Sequence, residues 1–127
     1  MIIAFATDDG KKTMERHFGD AEYYNIYELI DGKFQMIDQI VNTTEEEEGH
    51  ADPVKAKGIV DLLIEKNVEV GVTRVFGPNI KRVKKHFVPV LISTETIEES
   101  LEVIFNSLGI IEAEILKGDK REHIDLR

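Results

Sequence analysis

The spacing of apolar positions changes several times along the chain, and each change predicts an element. Ile2–Thr7 is a short apolar run ending on Asp8-Asp9-Gly10, which reads as a strand buried on both faces and then a turn. Glu22–Ile30 and Lys33–Val41 are β-rich runs separated only by Asp31-Gly32. Asp-Gly in that place predicts a two-residue hairpin, because both turn positions need positive φ. Asn42 to Asp52 is polar and predicts an exposed loop. Asp52 then caps a helix that Pro53 opens and that runs to about Lys66, with Val54, Ile59, Leu62 and Leu63 inward. Val68–Thr73 and Val88–Ile92 predict two more buried strands. Between them, after the turn Phe76-Gly77-Pro78-Asn79, a helix is expected to about His86. Ser93-Thr94-Glu95-Thr96 opens a third helix whose stripe of Ile97, Leu101, Ile104, Phe105 and Leu108 suits a helix lying on a sheet.

The expected order is therefore β-β-β-α-β-α-β-α, an α/β fold with a mixed five-stranded sheet and helices on both faces. Residues 1–108 form the expected domain, and residues 109–127 an extension that docks in part, through Ile110–Leu116, or frays. A length of 127 residues and an apolar content of 42% suit one domain with a real core. The longest apolar runs are far too short to span a bilayer, and the first residues meet acid at once rather than forming a leader. The chain reads as cytoplasmic, with no membrane partner. The absence of cysteine excludes disulfides, thiolate nucleophiles and cysteine-ligated iron–sulfur clusters. A net charge of −9 argues against nucleic acid as a partner. Abundant Glu, Lys and Ile leans towards a thermophile source.

In open α/β sheets, ligands bind beyond the carboxyl ends of the parallel strands. That rim is expected to gather Asp8 to Asp20, Thr73 to Pro78 and the loop 45–52. At these positions the chain resembles a known family. Ile2–Gly10, His17-Phe18-Gly19-Asp20-Ala21, the Asp31-Gly32 hairpin, Gly49-His50 and Gly77-Pro78 are similar to the dinitrogenase iron–molybdenum cofactor biosynthesis family, over residues 1 to about 107. The resemblance implies a three-layer ribonuclease-H-like fold. It also implies binding of an iron–sulfur or iron–molybdenum cofactor rather than catalysis, in company with a protein partner that handles metal clusters. The chain departs from the family where Thr73-Arg74-Val75-Phe76 replaces a glycine-rich turn, and where the loop before the first helix is Glu-rich.

His17 is the first-choice ligand and metal donor, with Phe18, Gly19, Arg74, Phe76 and Gly77 shaping the pocket and His50 as an addition. The competing reading of His17 is a ring that fixes its own loop, with Gly19 supplying an unusual backbone angle. Asp8 and Asp9 suggest a divalent-metal nuclease, but the later strands lack partner acids, and turn capping is the simpler role. Lys81, Arg82, Lys84 and Lys85 read as a solvated helix face. Ser93, Thr94 and Thr96 read as helix capping. No nucleophile–base pair or P-loop is present, so no enzyme is expected. The leading expectation is a non-catalytic cofactor-binding domain, followed by an interaction or regulatory module that has lost the ligand.

Overall fold

The structure, a computed structural model, describes residues 1–42, 53–78 and 80–127. Six strands form one mixed sheet: β1 Ile2–Thr7, β2 Tyr23–Ile30, β3 Lys33–Val41, β4 Val70–Thr73, β5 Val88–Leu91 and β6 Ile124–Asp125, in the order β3-β2-β1-β4-β5-β6. The strands β1, β4, β5 and β6 run parallel, and the β2–β3 hairpin lies antiparallel on the β1 side. The hairpin turn is the expected one, with φ of +50° at Asp31 and +79° at Gly32.

Burial explains the centre of the sheet. β1 and β4 are buried on both faces, because helices cover both. On one face Ala4, Ala6, Phe18, Tyr24, Val83 and Phe87 pack with Ile59, Val60 and Leu63 of α1 (Pro53–Glu65). On the other, Ile3, Phe5, Val70, Val72 and Val90 pack with Ile97 and Ile104 of α3 (Ile97–Phe105) and Ile111 of α4 (Leu108–Ile115). No helix among the described residues is long and apolar enough to cross a membrane.

The sheet has six strands rather than five, and Pro89 shows why the sixth is so short. Val88 and Ile92 donate their backbone N–H groups to Glu69 and Thr73 on the β4 side. Alternation turns the nitrogen of Pro89 to the β6 edge, where the missing N–H costs no bond to β4 and offers none to β6. β6 joins only beyond that point, with Ile124 opposite Val90 and the Leu126 N–H on the Leu91 carbonyl at 2.8 Å. Segment 118–127 is thus tied to the sheet rather than frayed.

Two helices also end early. α2 is only Ile80–Val83, after which Lys85 and His86 donate to the carbonyls three residues back and bring Phe87 into the core. The third stripe divides at Asn106-Ser107 into α3 and α4, both of which face the same cluster. Thr96 caps α3 as expected: its hydroxyl accepts from the Glu99 N–H while the Glu99 carboxylate reaches back to the Thr96 N–H. The proposed cap at Asp52 lies outside the described residues.

Candidate functional site

The rim begins where β1 ends. The buried Thr7 hydroxyl donates to the Lys12 carbonyl at 2.6 Å and accepts from the Gly10 N–H, closing a tight loop at Gly10, which has a φ of +82°. The Asp9 carboxylate accepts the N–H groups of Lys12 at 2.8 Å and Lys11 at 2.9 Å. Asp8 accepts from the Arg16 guanidinium at 2.6 Å and from the Glu22 N–H at 3.0 Å. Both acids therefore serve as loop braces. Asn25 extends the brace to the hairpin, donating to the Gly10 carbonyl and accepting from the Gln39 amide.

Those bonds make the loop pH-sensitive. The backbone N–H groups of Lys12 and then Lys11 hold the Asp9 carboxyl below its ordinary value. A lowered folded-state pKa means that the stabilisation is present above the ordinary aspartate range, near about 4, and is lost as pH falls through the lower folded value. In urea melts from pH 6 down to pH 2, the stability gap between wild type and Asp9→Ala should close below about pH 4. A gap constant over that range would contradict this assignment.

The chain then returns along β4. His17 forms an isolated parallel bridge with Val75, and its carbonyl accepts the Asp20 N–H at 2.9 Å. The His17 side chain is exposed, yet its ring lies flat on Gly77. A Cβ built on Gly77 would sit 2.5 Å from Nδ1 and 2.7 Å from Cε1. Glycine is thus required at position 77 for the imidazole to occupy this place. Arg74 pairs with the exposed Glu15 at 3.1 Å, a solvated contact of little energetic weight.

Phe18 anchors the segment. It is 3% exposed and stacks on Phe76 with ring centres 5.1 Å apart, against Tyr24 at 5.2 Å and Phe87 at 6.1 Å. The Tyr24 hydroxyl donates to the Phe18 carbonyl at 2.6 Å. Asn42 donates from its side-chain amide to the carbonyls of Gly19 and Ala21.

His17 therefore meets Gly77, and Phe18 meets Phe76 in the core beneath, whereas Arg74 is turned to Glu15. Gly19 differs from the expected picture: its φ is not positive and a Cβ there would meet nothing within 4 Å, so the turn does not need glycine. His50 and the Glu45–Glu48 run lie outside the described residues. The pattern assigned Asn42 to an exposed loop, but it is 3% exposed. Its only signal was a side-chain amide directly after a strand. Thr73 was counted in the rim segment but given no role of its own, since a threonine at a strand end looks ordinary. It is fully buried, and its hydroxyl has no hydrogen-bond partner. Such a group costs about 1–3 kcal/mol. Among the described residues, no three His, Asp or Glu side chains gather in a metal-ligating group.

No curated protein matches the sequence significantly. Solved structures share the fold, two of them as follows. One is MJ0327 of Methanocaldococcus jannaschii, described as a candidate dinitrogenase: 17% identity, TM-score 0.59, covering 84% of this chain and 89% of its own. The other is PH0822: 12% identity, TM-score 0.63, covering 84% and 92%. The family model described as dinitrogenase iron-molybdenum cofactor matches residues 1–107, which contain every strand but β6 and the whole rim. The chain belongs to the dinitrogenase iron–molybdenum cofactor family.

Proposed function

We propose that this domain is a non-catalytic carrier that binds an iron–sulfur or iron–molybdenum type cluster at the rim through His17. The carrying observation is the exposed imidazole lying on Gly77 at the end of the parallel strands, its backbone bridged to Val75. A cluster ligated wholly by protein does not fit the donors, because the sequence has no cysteine and no ligand triad occurs among the described residues. A preassembled cluster fits better, since it brings its own sulfides and needs only a free coordination position for one imidazole. The cluster is then cargo.

The carrier reading is favoured over nuclease chemistry because Asp8 and Asp9 already accept hydrogen bonds within the loop. The strand order, with an antiparallel β2 beside a parallel centre, agrees with a ribonuclease-H-like arrangement carrying one added edge strand. A cytoplasmic setting and a cluster-handling protein partner complete the reading.

The test is anaerobic titration with a preformed [4Fe–4S] cluster carrying small-thiol ligands, read by visible absorbance and iron content. Wild type should retain the cluster through gel filtration, and His17→Ala should lose tenfold or more in affinity, about 1.4 kcal/mol or more. Equal retention by both proteins would remove His17 as ligand. Negligible retention by both would favour an interaction module, which the exposed Met36, Ile37 and Val41 on the open β3 edge support.

A further inference from the structure

We propose that the Thr73 hydroxyl is a second recognition group of this site, donating a hydrogen bond to an electron-rich sulfide or oxygen atom of the anionic guest. The inference rests on the carrier reading and extends it to a residue buried beneath the rim. Thr73 ends β4, is 0% exposed, and its Oγ1 has no hydrogen-bond partner. Buried hydroxyls are nearly always paired, so an orphan calls for a particular explanation.

Strand alternation fixes the face on which this hydroxyl sits. Gly71, two residues earlier, turns its α-carbon to Phe18 and Phe87, where an added Cβ would lie 3.1 Å and 2.7 Å from ring atoms. Thr73 points to the same face, about 6.6 Å nearer the carboxyl end of the strand. The next residues lead through the Val75 bridge with His17 to Gly77, on which the imidazole rests. The orphan hydroxyl and the imidazole therefore lie along one stretch of chain at the carboxyl end of β4, the hydroxyl closed off from solvent and the imidazole exposed. The hydroxyl has no accessible surface in the free protein, so a guest that ligates His17 reaches it only where the Val75–Gly77 segment shifts, and there gives it its missing partner. In the free protein the hydroxyl is a stored penalty; in the loaded protein it is a contact.

A stability–affinity opposition follows, and a purely structural threonine would not produce it. Thr73→Val keeps the shape and removes the hydroxyl; Thr73→Ser keeps the hydroxyl and removes a methyl group. Without cluster, Thr73→Val should melt roughly 3–6 °C above wild type, because the unpaired group is gone. With the thiol-ligated [4Fe–4S] cluster as probe, the same variant should bind about fivefold or more weakly, while Thr73→Ser should bind within about twofold of wild type at a lower melting temperature. Thr73→Val binding as tightly as wild type overturns the inference and leaves the His17 reading intact. Thr73→Val melting below wild type means that the hydroxyl is bonded inside the fold in solution, which also overturns it. If wild type takes up no cluster, both proposals fall together.

Discussion

Replacing Phe18 with alanine is expected to lower the unfolding free energy by about 3–5 kcal/mol. The magnitude follows from position. Phe18 is 3% exposed and touches three aromatic rings, Phe76, Tyr24 and Phe87. Gly71 lies close beside it and has no side chain to fill the vacated space. The sheet behind is a hydrogen-bonded ladder that cannot collapse inward, so most of the cavity should persist. A domain of this size has only about 5–15 kcal/mol to lose. Urea melts of the two proteins measure the difference directly. Phe18→Leu, which keeps most of the volume, should lose much less, about 1.5 kcal/mol. A loss under about 1 kcal/mol for the alanine variant would mean that the segment carrying His17 is only loosely attached to the core. The site would then lack the rigid base assigned to it above.

The elements with strong local causes were legible in the sequence. Asp31-Gly32 announced the hairpin because few other residue pairs accept two successive positive φ values. Thr96 announced a helix start, and its reciprocal capping bonds with Glu99 form. The elements that escaped depend on distant partners. β6 is two residues long and exists only because β5 presents an edge beyond Pro89, which nothing within residues 118–127 can reveal. The division between α3 and α4 was hidden because the apolar stripe runs through it: Ile104 and Ile111 are both fully buried in the same cluster. Periodicity reports which face is buried, and it is silent about a break that preserves that face.

The site shows the same division. The His-Phe-Gly loop and the turn at Gly77 were legible as candidates, and the structure brings them together. Their roles were less legible. Gly19 looked like a backbone necessity and is not one, whereas Gly77 looked like turn punctuation and is the floor beneath an imidazole. Thr73 could not be singled out at all. An orphan hydroxyl is defined by what fails to approach it in three dimensions, and a lone threonine at a strand end carries no trace of that.

Gly77→Ala should cost little stability yet abolish cluster retention as fully as His17→Ala does. The added Cβ would lie 2.5, 2.7 and 2.9 Å from Nδ1, Cε1 and Cγ of His17, well inside the ordinary contact distance of about 3.5–4 Å. The ring cannot slide along the surface to relieve this, because Cγ, its point of attachment, is among the atoms overlapped. It must rotate away to another rotamer. The backbone is less free to yield, since His17 is bridged to Val75 and its carbonyl is held by Asp20. The exposed side chain therefore gives way, at about 1 kcal/mol, and the imidazole leaves the one position from which it addresses the rim. A double-mutant cycle separates this account from a general loosening of the turn. If the clash is the cause, Gly77→Ala should cost almost nothing once His17 is already alanine, because the space above the glycine is then empty. A coupling near 1 kcal/mol in urea melts, with both single variants failing to retain the cluster, is the expected result. Strictly additive stability effects would show that the alanine strains the turn itself, and that the imidazole is not seated on Gly77 in solution.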